Sequence, residues 1–148
     1  MVVSSILLIR AVVDGMAERG FGRIPDITSA MVKAPDPALS LSVAARLGLT
    51  GFVKTIAPAY IKSNVTINNL LPEHFETERL RSNLSKIAAG AGRSLDEEIA
   101  ARKAASPAGR FGRVEEFGAV CAFYCSRQAG YLTAQNVLLD GGIYPGVF

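Results

Sequence analysis

Apolar positions recur at the spacing of an amphipathic helix in the first part of the chain. Across Ile6–Glu18 they fall three or four residues apart, which predicts a helix, and Gly20 and Gly22 end it. Leu41–Ala57 predicts a second helix, with small residues along one surface. Because Pro58 has no amide hydrogen, this second helix is expected to kink or to end early at that point.

Three short apolar runs have the length of buried strands. They are Ile24–Ser29, Val65–Asn68 and Asn136–Leu139. Pro25 lies in the first run, and a proline cannot donate a hydrogen bond to a neighbouring strand. Either this run is an edge strand or Pro25 simply begins it.

The order of the predicted elements points to one fold class. The remaining elements are a loop at 31–40, a helix at 78–104 interrupted near Gly90–Gly92, a loop at 106–113 and a helix at 115–126. Helices therefore alternate with strands, which indicates right-handed crossovers and a parallel sheet with helices on both faces. We expect an α/β fold, with residues 1–148 forming a single domain.

Composition and charge exclude several function classes. The 148 residues carry a net charge of +3, and the basic side chains are scattered among acidic ones, so no basic stripe for nucleic acid is present. The apolar N-terminal run lacks a preceding positive region and is broken by Arg10, so it is expected to be neither a signal peptide nor a membrane span. We expect a cytoplasmic protein with no nucleic acid or membrane partner.

The cysteines and the single histidine give no metal-binding pattern. Cys121 and Cys125 lie one helical turn apart in an apolar stretch and are expected to be reduced core residues. One histidine cannot complete a zinc site with them, so no metal is expected. His74 is expected to be a solvated loop residue, with the alternative that it acts as an acid in catalysis.

Three polar residues occur at a spacing that carries chemistry. Ser29 follows a predicted strand, Ser42 comes thirteen residues later, and Arg46 lies four residues beyond. This spacing resembles the short-chain dehydrogenase/reductase superfamily, in which a serine ends a strand and Tyr-x-x-x-Lys follows thirteen positions later. Here Ser42 replaces the tyrosine and Arg46 replaces the lysine. The other runs that carry the resemblance are Met16–Ile24, Gly51–Lys54, Asn64–Asn68, Arg110–Arg113, Glu115–Glu116 and Thr133–Gly142.

The resemblance implies both a fold and an activity. It covers the C-terminal half of the family's pattern, a Rossmann-type, doubly wound parallel sheet, of which this chain supplies the last three strands with their flanking helices. It implies an NAD(P)-dependent oxidoreductase acting on a carbonyl or secondary alcohol, of the 3-oxoacyl reductase type. Ser29, Ser42 and Arg46 then occupy the catalytic positions.

The resemblance also places a cofactor loop. Arg46 would contact the nicotinamide ribose, and Pro72, Phe75 and Thr77 match the loop that contacts the nicotinamide and phosphates. Glu73 stands where that loop has a glycine, which adds negative charge beside an anionic cofactor.

Ser42 has a second interpretation. An alkanol hydroxyl is a poorer proton donor than a phenol, and serine is a good helix N-cap, so Ser42 could simply begin the second helix. Glu115 and Glu116 lie in the first turn of a predicted helix, where carboxylates favour the helix dipole, and are assigned to structure.

Two features of the family pattern have no counterpart. No glycine-rich loop stands between a strand and a helix, so Gly20 and Gly22 are interpreted as a helix stop. The position of the family's catalytic asparagine falls at or beside Met1. We therefore expect impaired catalysis by the isolated chain.

The alternative is a non-catalytic oligomerisation module. It would pair with itself or with a full-length homologue through its first two helices, which resemble the family's dimer helices. A truncated gene product without an independent role is a third possibility.

Overall fold

A three-stranded parallel sheet forms the centre of the computed structural model, which describes residues 2–147. The strands are β1 (Gly22–Ile27), β2 (Val65–Pro72) and β3 (Asn136–Leu139), in the order β1-β2-β3. Both strand pairs are parallel. The predicted α/β fold with a parallel sheet is confirmed.

Five α-helices occur within the described residues. They are α1 (Val2–Glu18), α2 (Ser40–Tyr60), α3 (Glu78–Gly90), α4 (Leu95–Ala105) and α5 (Val114–Cys125). Helices α1 and α2 pack against each other and against the sheet, α5 packs against β1 and β2, and α3 and α4 pack against each other. The predicted interruption near Gly90–Gly92 is confirmed, because α3 ends at Gly90 and Gly92 has a left-handed φ of +64°.

The main hydrophobic core lies between the sheet and the α1–α2 pair. β2 is buried along its length except at Pro72. Its alternate side chains point to opposite faces, so that one face meets α1 and α2. The buried residues of this cluster are Ile9, Val13, Leu49, Val53, Ala57, Val65, Ile67 and Ala134.

The first two helices are longer than predicted. α1 begins at Val2, and α2 continues past Pro58 to Tyr60, so the expected early end at the proline is wrong. The last turn of α2 is fixed by packing: Ala57 is fully buried, and the Tyr60 hydroxyl donates to Asp14 of α1 at 2.9 Å. These contacts offset the single helical hydrogen bond that Pro58 cannot make.

β1 lies two residues earlier than predicted. It spans Gly22–Ile27 rather than Ile24–Ser29, because the Ser29 hydroxyl caps a short 3-10 turn, Ala30–Val32, that leads the chain away from the sheet. A second 3-10 turn, Pro37–Leu39, also lies in the segment expected to be a loop.

Pro25 occupies an edge position in β1. The amide of Gly22 donates to Asn64 O, just before β2, at 3.2 Å, and the amide of Thr28 donates to Leu70 O of β2 at 2.9 Å. Backbone groups of alternate residues in a strand point to opposite sides, so Pro25 faces the open edge, where its missing amide breaks no ladder bond.

The two cysteines differ in burial. Cys125 is exposed and Cys121 is half-buried, because α5 presents only one side to the sheet. Burial, and then contact with the Cys125 thiol, raise the pKa of Cys121. The prediction of two buried cysteines is therefore wrong for Cys125.

One helical segment, Pro37–Ser63, is long and apolar enough to cross a membrane by length and composition, with a mean hydropathy of 1.2. A core helix of a globular protein passes the same test, so this is weak evidence for a span.

Candidate functional site

The C-terminal ends of β1 and β2 meet the start of α2 at one edge of the sheet. Open α/β sheets bind ligands outside the carboxyl ends of their strands. A cavity of about 570 Å³ lies at this place, between the strand ends and helices α2, α3 and α5. Its size falls within the range of small-molecule sites.

All six predicted site residues come together around this cavity. They are Ser29, Ser42, Arg46, Pro72, Phe75 and Thr77.

Arg46 is held by its backbone and side-chain neighbours. Its Nε donates to Thr28 O at 3.3 Å, and its Nη1 donates to Ser42 O at 3.4 Å and, at closer range, to Ser42 Oγ. Arg46 forms no ion pair within residues 2–147, although Asp36 and Glu73 line the same cavity. A half-buried cation without a counter-ion attracts a negatively charged or strongly polar ligand.

Ser42 is not the N-cap of α2. The helix begins at Ser40, its N-cap position is Leu39, and no side chain caps it, so the capping interpretation is wrong. Ser42 lies in the first turn and accepts from Arg46 one turn further on. Because the guanidinium occupies the Ser42 oxygen, the hydroxyl hydrogen is available to donate to a ligand in the cavity.

Ser29 is arranged in a similar way. Its hydroxyl oxygen accepts from the Met31 amide at 3.3 Å, which closes the 3-10 turn after β1. This bond is the role of an ordinary strand-end serine, yet it leaves the Ser29 hydroxyl hydrogen free to donate. Two serine hydroxyls and one guanidinium thus line the same cavity.

The loop after β2 forms another wall. Phe75 makes a parallel backbone bridge with Gly112 and contacts Phe117 edge-on, with ring centroids 5.5 Å apart. A side chain at position 112 would lie within 2.6 Å of the Phe75 ring, so glycine permits this close approach. Thr77 caps α3 by accepting from the Leu80 amide at 3.1 Å.

His74 is half-buried rather than a solvated loop residue. Its Nδ1 lies 3.4 Å from Glu73 Oε1, and its ring packs against Phe111 at a centroid distance of 5.8 Å. It lines both the main cavity and a smaller one of about 210 Å³.

The apolar wall contributed by α3 was not predicted from the sequence. Leu80, Leu84 and Ile87 project into the cavity together with Val114 and Phe117 from the start of α5. Their three- or four-residue spacing along α3 is the signal that could have identified this face.

α4 fixes α3 through a buried acid. The Glu98 side chain is 2% exposed and forms ion pairs with Arg93 at 2.6 Å and Arg102 at 2.8 Å. The hydrogen bond from Arg102, followed by attraction to both arginines, lowers the pKa of Glu98 against the opposing effect of burial. This network holds the α3–α4 connection behind the cavity wall.

Glu116 has the structural role expected of a first-turn carboxylate. It accepts from both terminal nitrogens of Arg110, at 2.7 and 2.8 Å, and from the Arg113 amide at 2.8 Å. The Arg110 bonds, and then the Arg113 amide, lower the pKa of Glu116 to about 2. Glu115 lies in the same first turn.

Two other features bear on cofactors and metals. Gly20, with a left-handed φ of +68°, follows α1 and precedes a strand, so it is a helix stop as predicted. No cluster of three or more metal-binding side chains occurs within 2–147. Met1, beside which the catalytic asparagine was expected, lies outside the described residues.

A family model described as enoyl-(acyl carrier protein) reductase matches residues 1–144. The chain is 29% identical to acetoacetyl-CoA reductase of Cupriavidus necator over 137 residues, which are 93% of this chain and 51% of that protein. It is 30% identical to a 3-oxoacyl-(acyl-carrier-protein) reductase of Vibrio cholerae, again over 93% of this chain and 52% of the relative. The chain therefore spans about half the length of the curated relatives it matches.

Two solved structures that are similar to this chain are also reductases. YwfH, an NADPH-dependent reductase involved in bacilysin biosynthesis, is similar with a TM-score of 0.91 and 26% identity, over 98% of this chain and 56% of that one. L-sorbose reductase from Gluconobacter frateurii, complexed with NADPH and L-sorbose, has a TM-score of 0.89 and 25% identity, again over 98% of this chain and 56% of that one.

Proposed function

The chain belongs to the short-chain dehydrogenase/reductase family, and from this premise we propose that it carries the substrate-binding and proton-handling half of an NAD(P)-dependent carbonyl reductase. The observation that carries the proposal is the Arg46–Ser42 contact at the cavity wall, with Ser29 lining the same space.

Ser29 and Ser42 are the groups that would hold the substrate oxygen. Each hydroxyl oxygen already accepts a hydrogen bond, so each hydroxyl hydrogen can donate to one carbonyl oxygen. Donors arranged in advance around an oxygen that becomes negative stabilise the transition state.

Arg46 compensates for the high pKa of an alkanol. When the carbonyl is reduced, its oxygen takes up the Ser42 proton, and the guanidinium stabilises the negative charge that passes to Ser42 Oγ until a proton taken up from bulk solvent restores the hydroxyl. A permanently charged arginine can do this at any physiological pH.

The cavity residues fit only the nicotinamide end of a dinucleotide. Bound NAD(P)H would supply the hydride, with Arg46 able to contact ribose hydroxyls and with Pro72, Phe75 and Thr77 against the ring and neighbouring phosphate. No strand–glycine loop–helix unit occurs within 2–147 to hold the diphosphate, and Glu73 adds a carboxylate to the wall. We therefore expect weak cofactor binding by this chain alone.

The substrate we propose is a 3-oxoacyl thioester or a similar ketone. The relatives named as acetoacetyl-CoA and 3-oxoacyl reductases support this substrate class. The apolar wall formed by Leu80, Leu84 and Ile87 suits an acyl chain rather than a sugar.

Calorimetric titration with NADPH, NADH and acetoacetyl-CoA tests the proposal. We expect heat on binding and a raised melting temperature with the thioester and with at least one dinucleotide. No heat and no shift with any of the three would overturn the catalytic proposal.

A specific observation also favours the oligomerisation module as a second candidate. α1 exposes Leu7 and Leu8 by 56% and 67%, and α2 exposes Leu41 by 88%. Large exposed apolar side chains on two packed helices are typical of association surfaces. Sedimentation should show self-association or co-migration with a longer homologue, whereas a stable monomer that captures no homologue would exclude this candidate.

A further inference from the structure

Asp26, Asn69 and Asn136 occupy matching positions on the three strands. The register pairs Asp26 with Asn69 and Asn69 with Asn136. Paired residues in a parallel sheet point to the same face, and adjacent strands lie about 4.8 Å apart, so these three side chains form one row across the sheet.

Two oxygens in this row lack a hydrogen bond. Asn69 Nδ2 donates to Asn136 Oδ1 at 2.8 Å, but Asn69 Oδ1 and Asp26 Oδ2 are both buried and have no hydrogen-bond partner among residues 2–147. Buried polar atoms without partners are rare because each costs free energy. Two such acceptors on register partners can be satisfied together if a single proton lies between them.

No charge explains the state of Asp26. Burial alone raises the pKa of Asp26 to about 6. β2 carries no charged residue, and neither does the 3-10 turn Ala30–Val32. The charged side chains on the two helices covering this face are Arg10, Asp14, Glu18, Arg46 and Lys54. None of these five forms an ion pair with Asp26 in the part of the chain that the structure describes. On the opposite face lie Arg23 of β1 itself and Glu115 and Glu116 of α5.

We propose that a proton on Asp26 sets the direction of a hydrogen-bond chain that crosses all three strands through Asn69 to Asn136. With the proton bound, Asp26 donates to Asn69 Oδ1, and Asn69 Nδ2 donates to Asn136. When the proton leaves, both amides turn over, so that Asn136 donates to Asn69 and Asn69 donates to the Asp26 carboxylate. Asn136 is exposed and can turn over without losing buried contacts.

The hydrogen-bond chain through Asp26, Asn69 and Asn136 therefore makes the sheet sensitive to pH. The folded protein holds this proton more tightly than the unfolded chain, so the contribution of Asp26 to stability is complete below its ordinary pKa of 3.8 and is lost as the pH rises through about 6.

Nuclear magnetic resonance titration of the protein between about pH 4 and about pH 8 tests the proposal. The Asp26 carboxyl carbon should titrate with a midpoint near 6, and the side-chain amide signals of Asn69 and Asn136 should shift with the same midpoint. Asn68 is the internal control, because this buried neighbour on the opposite face bonds Leu132 O and the Gln135 amide and should not shift. A midpoint near 3.8, or amide signals that ignore the Asp26 titration, would overturn the proposal.

Two variants test whether the titration of Asp26 depends on the hydrogen-bond chain as well as on burial. Asn136→Asp offers only acceptors, so it keeps Asn69 Nδ2 turned away from Asp26 and Asn69 Oδ1 turned toward it, and the titration midpoint of Asp26 should rise. Asp26→Asn supplies a permanent donor to Asn69, so its unfolding midpoint in urea should exceed that of the native chain above pH 6 and approach it in acid. An unchanged titration midpoint of Asp26 in Asn136→Asp would contradict the coupled hydrogen-bond chain.

Discussion

Arg46 donates a hydrogen bond to the hydroxyl oxygen of Ser42, one turn earlier on α2, while its Nε donates to Thr28 O at the end of β1. This relationship joins the helix to the strand at the cavity wall. It also fixes which way the Ser42 hydroxyl can donate, because its oxygen is already engaged.

Removing the Ser42 hydroxyl should slow the proposed reduction. Ser42→Ala is expected to lower kcat for reduction of a 3-oxoacyl thioester by the cofactor-loaded protein by roughly 10²- to 10³-fold, with little change in KM, because the donor acts mainly in the transition state. Thr55→Ala, an exposed hydroxyl elsewhere on α2, is the matched control and should keep the native rate. Equal reduction rates for Ser42→Ala and Thr55→Ala would show that Ser42 takes no part in the reaction.

Arg46→Lys should show whether charge alone is sufficient. An ammonium keeps the charge but lacks the planar fork that reaches Thr28 O and Ser42 together, so we expect an activity between those of the native protein and Arg46→Ala. Steady-state kinetics on the three proteins provide the comparison. A lysine variant as slow as the alanine variant would mean that geometry outweighs charge.

Acid should weaken the network at the start of α5. The pKa of Glu116 is lowered to about 2, so its contribution to stability is complete above the ordinary value of 4.5 and is lost as the pH falls toward 2. Glu116→Gln should therefore unfold at lower urea concentration than the native chain near neutral pH, and the difference should shrink in acid. Glu115→Gln, its exposed neighbour, should show a smaller change at both pH values. If Glu116→Gln still unfolds at a lower urea concentration than the native chain by the same amount at the lowest pH measured, the assigned ion pairs would be contradicted.

The α1 surface should drive association. Leu8 is 67% exposed, and Leu8→Glu places a charge on the apolar face of α1, which should shift sedimentation toward the monomer. Tyr131→Glu is the control, since Tyr131 is 97% exposed but lies outside α1 and α2. The interface assignment fails if both variants associate as strongly as the native chain.

A methyl group at position 112 should disturb the loop that carries Phe75. The added Cβ would lie 2.6–3.0 Å from three atoms of the Phe75 ring, so Gly112→Ala must displace it. We expect the free energy of unfolding to fall by about 1–3 kcal/mol, as is typical of overpacking. Gly118→Ala in α5 has no atom within 4 Å of the new Cβ, and should instead raise stability by roughly 0.5–1 kcal/mol. Urea unfolding of both variants measures these opposite signs, and a Gly112→Ala variant as stable as the native chain would show that Phe75 moves freely.

Local sequence signals located most of the elements but not all of their ends. The run Asn136–Leu139 matches β3 at both ends, whereas β1 was placed two residues too late and α2 was expected to kink or to end early at Pro58. The errors share a cause. The ends of β1 and α2 depend on distant partners, such as the Tyr60–Asp14 hydrogen bond, which no short window of sequence contains.

The sequence by itself determined the fold class, the family and six of the residues that line the site, because hydrophobic periodicity and motif spacing are properties of the chain order. Only the tertiary structure decided what those residues do to one another. In the folded protein, Ser42 accepts a hydrogen bond from Arg46 instead of capping α2, and His74 is a half-buried residue of the cavity wall. Strand pairing also places Asp26 opposite Asn69. Hydrogen-bond partners and burial are set by which elements pack together, and residues 43 positions apart become neighbours only when parallel strands pair in register.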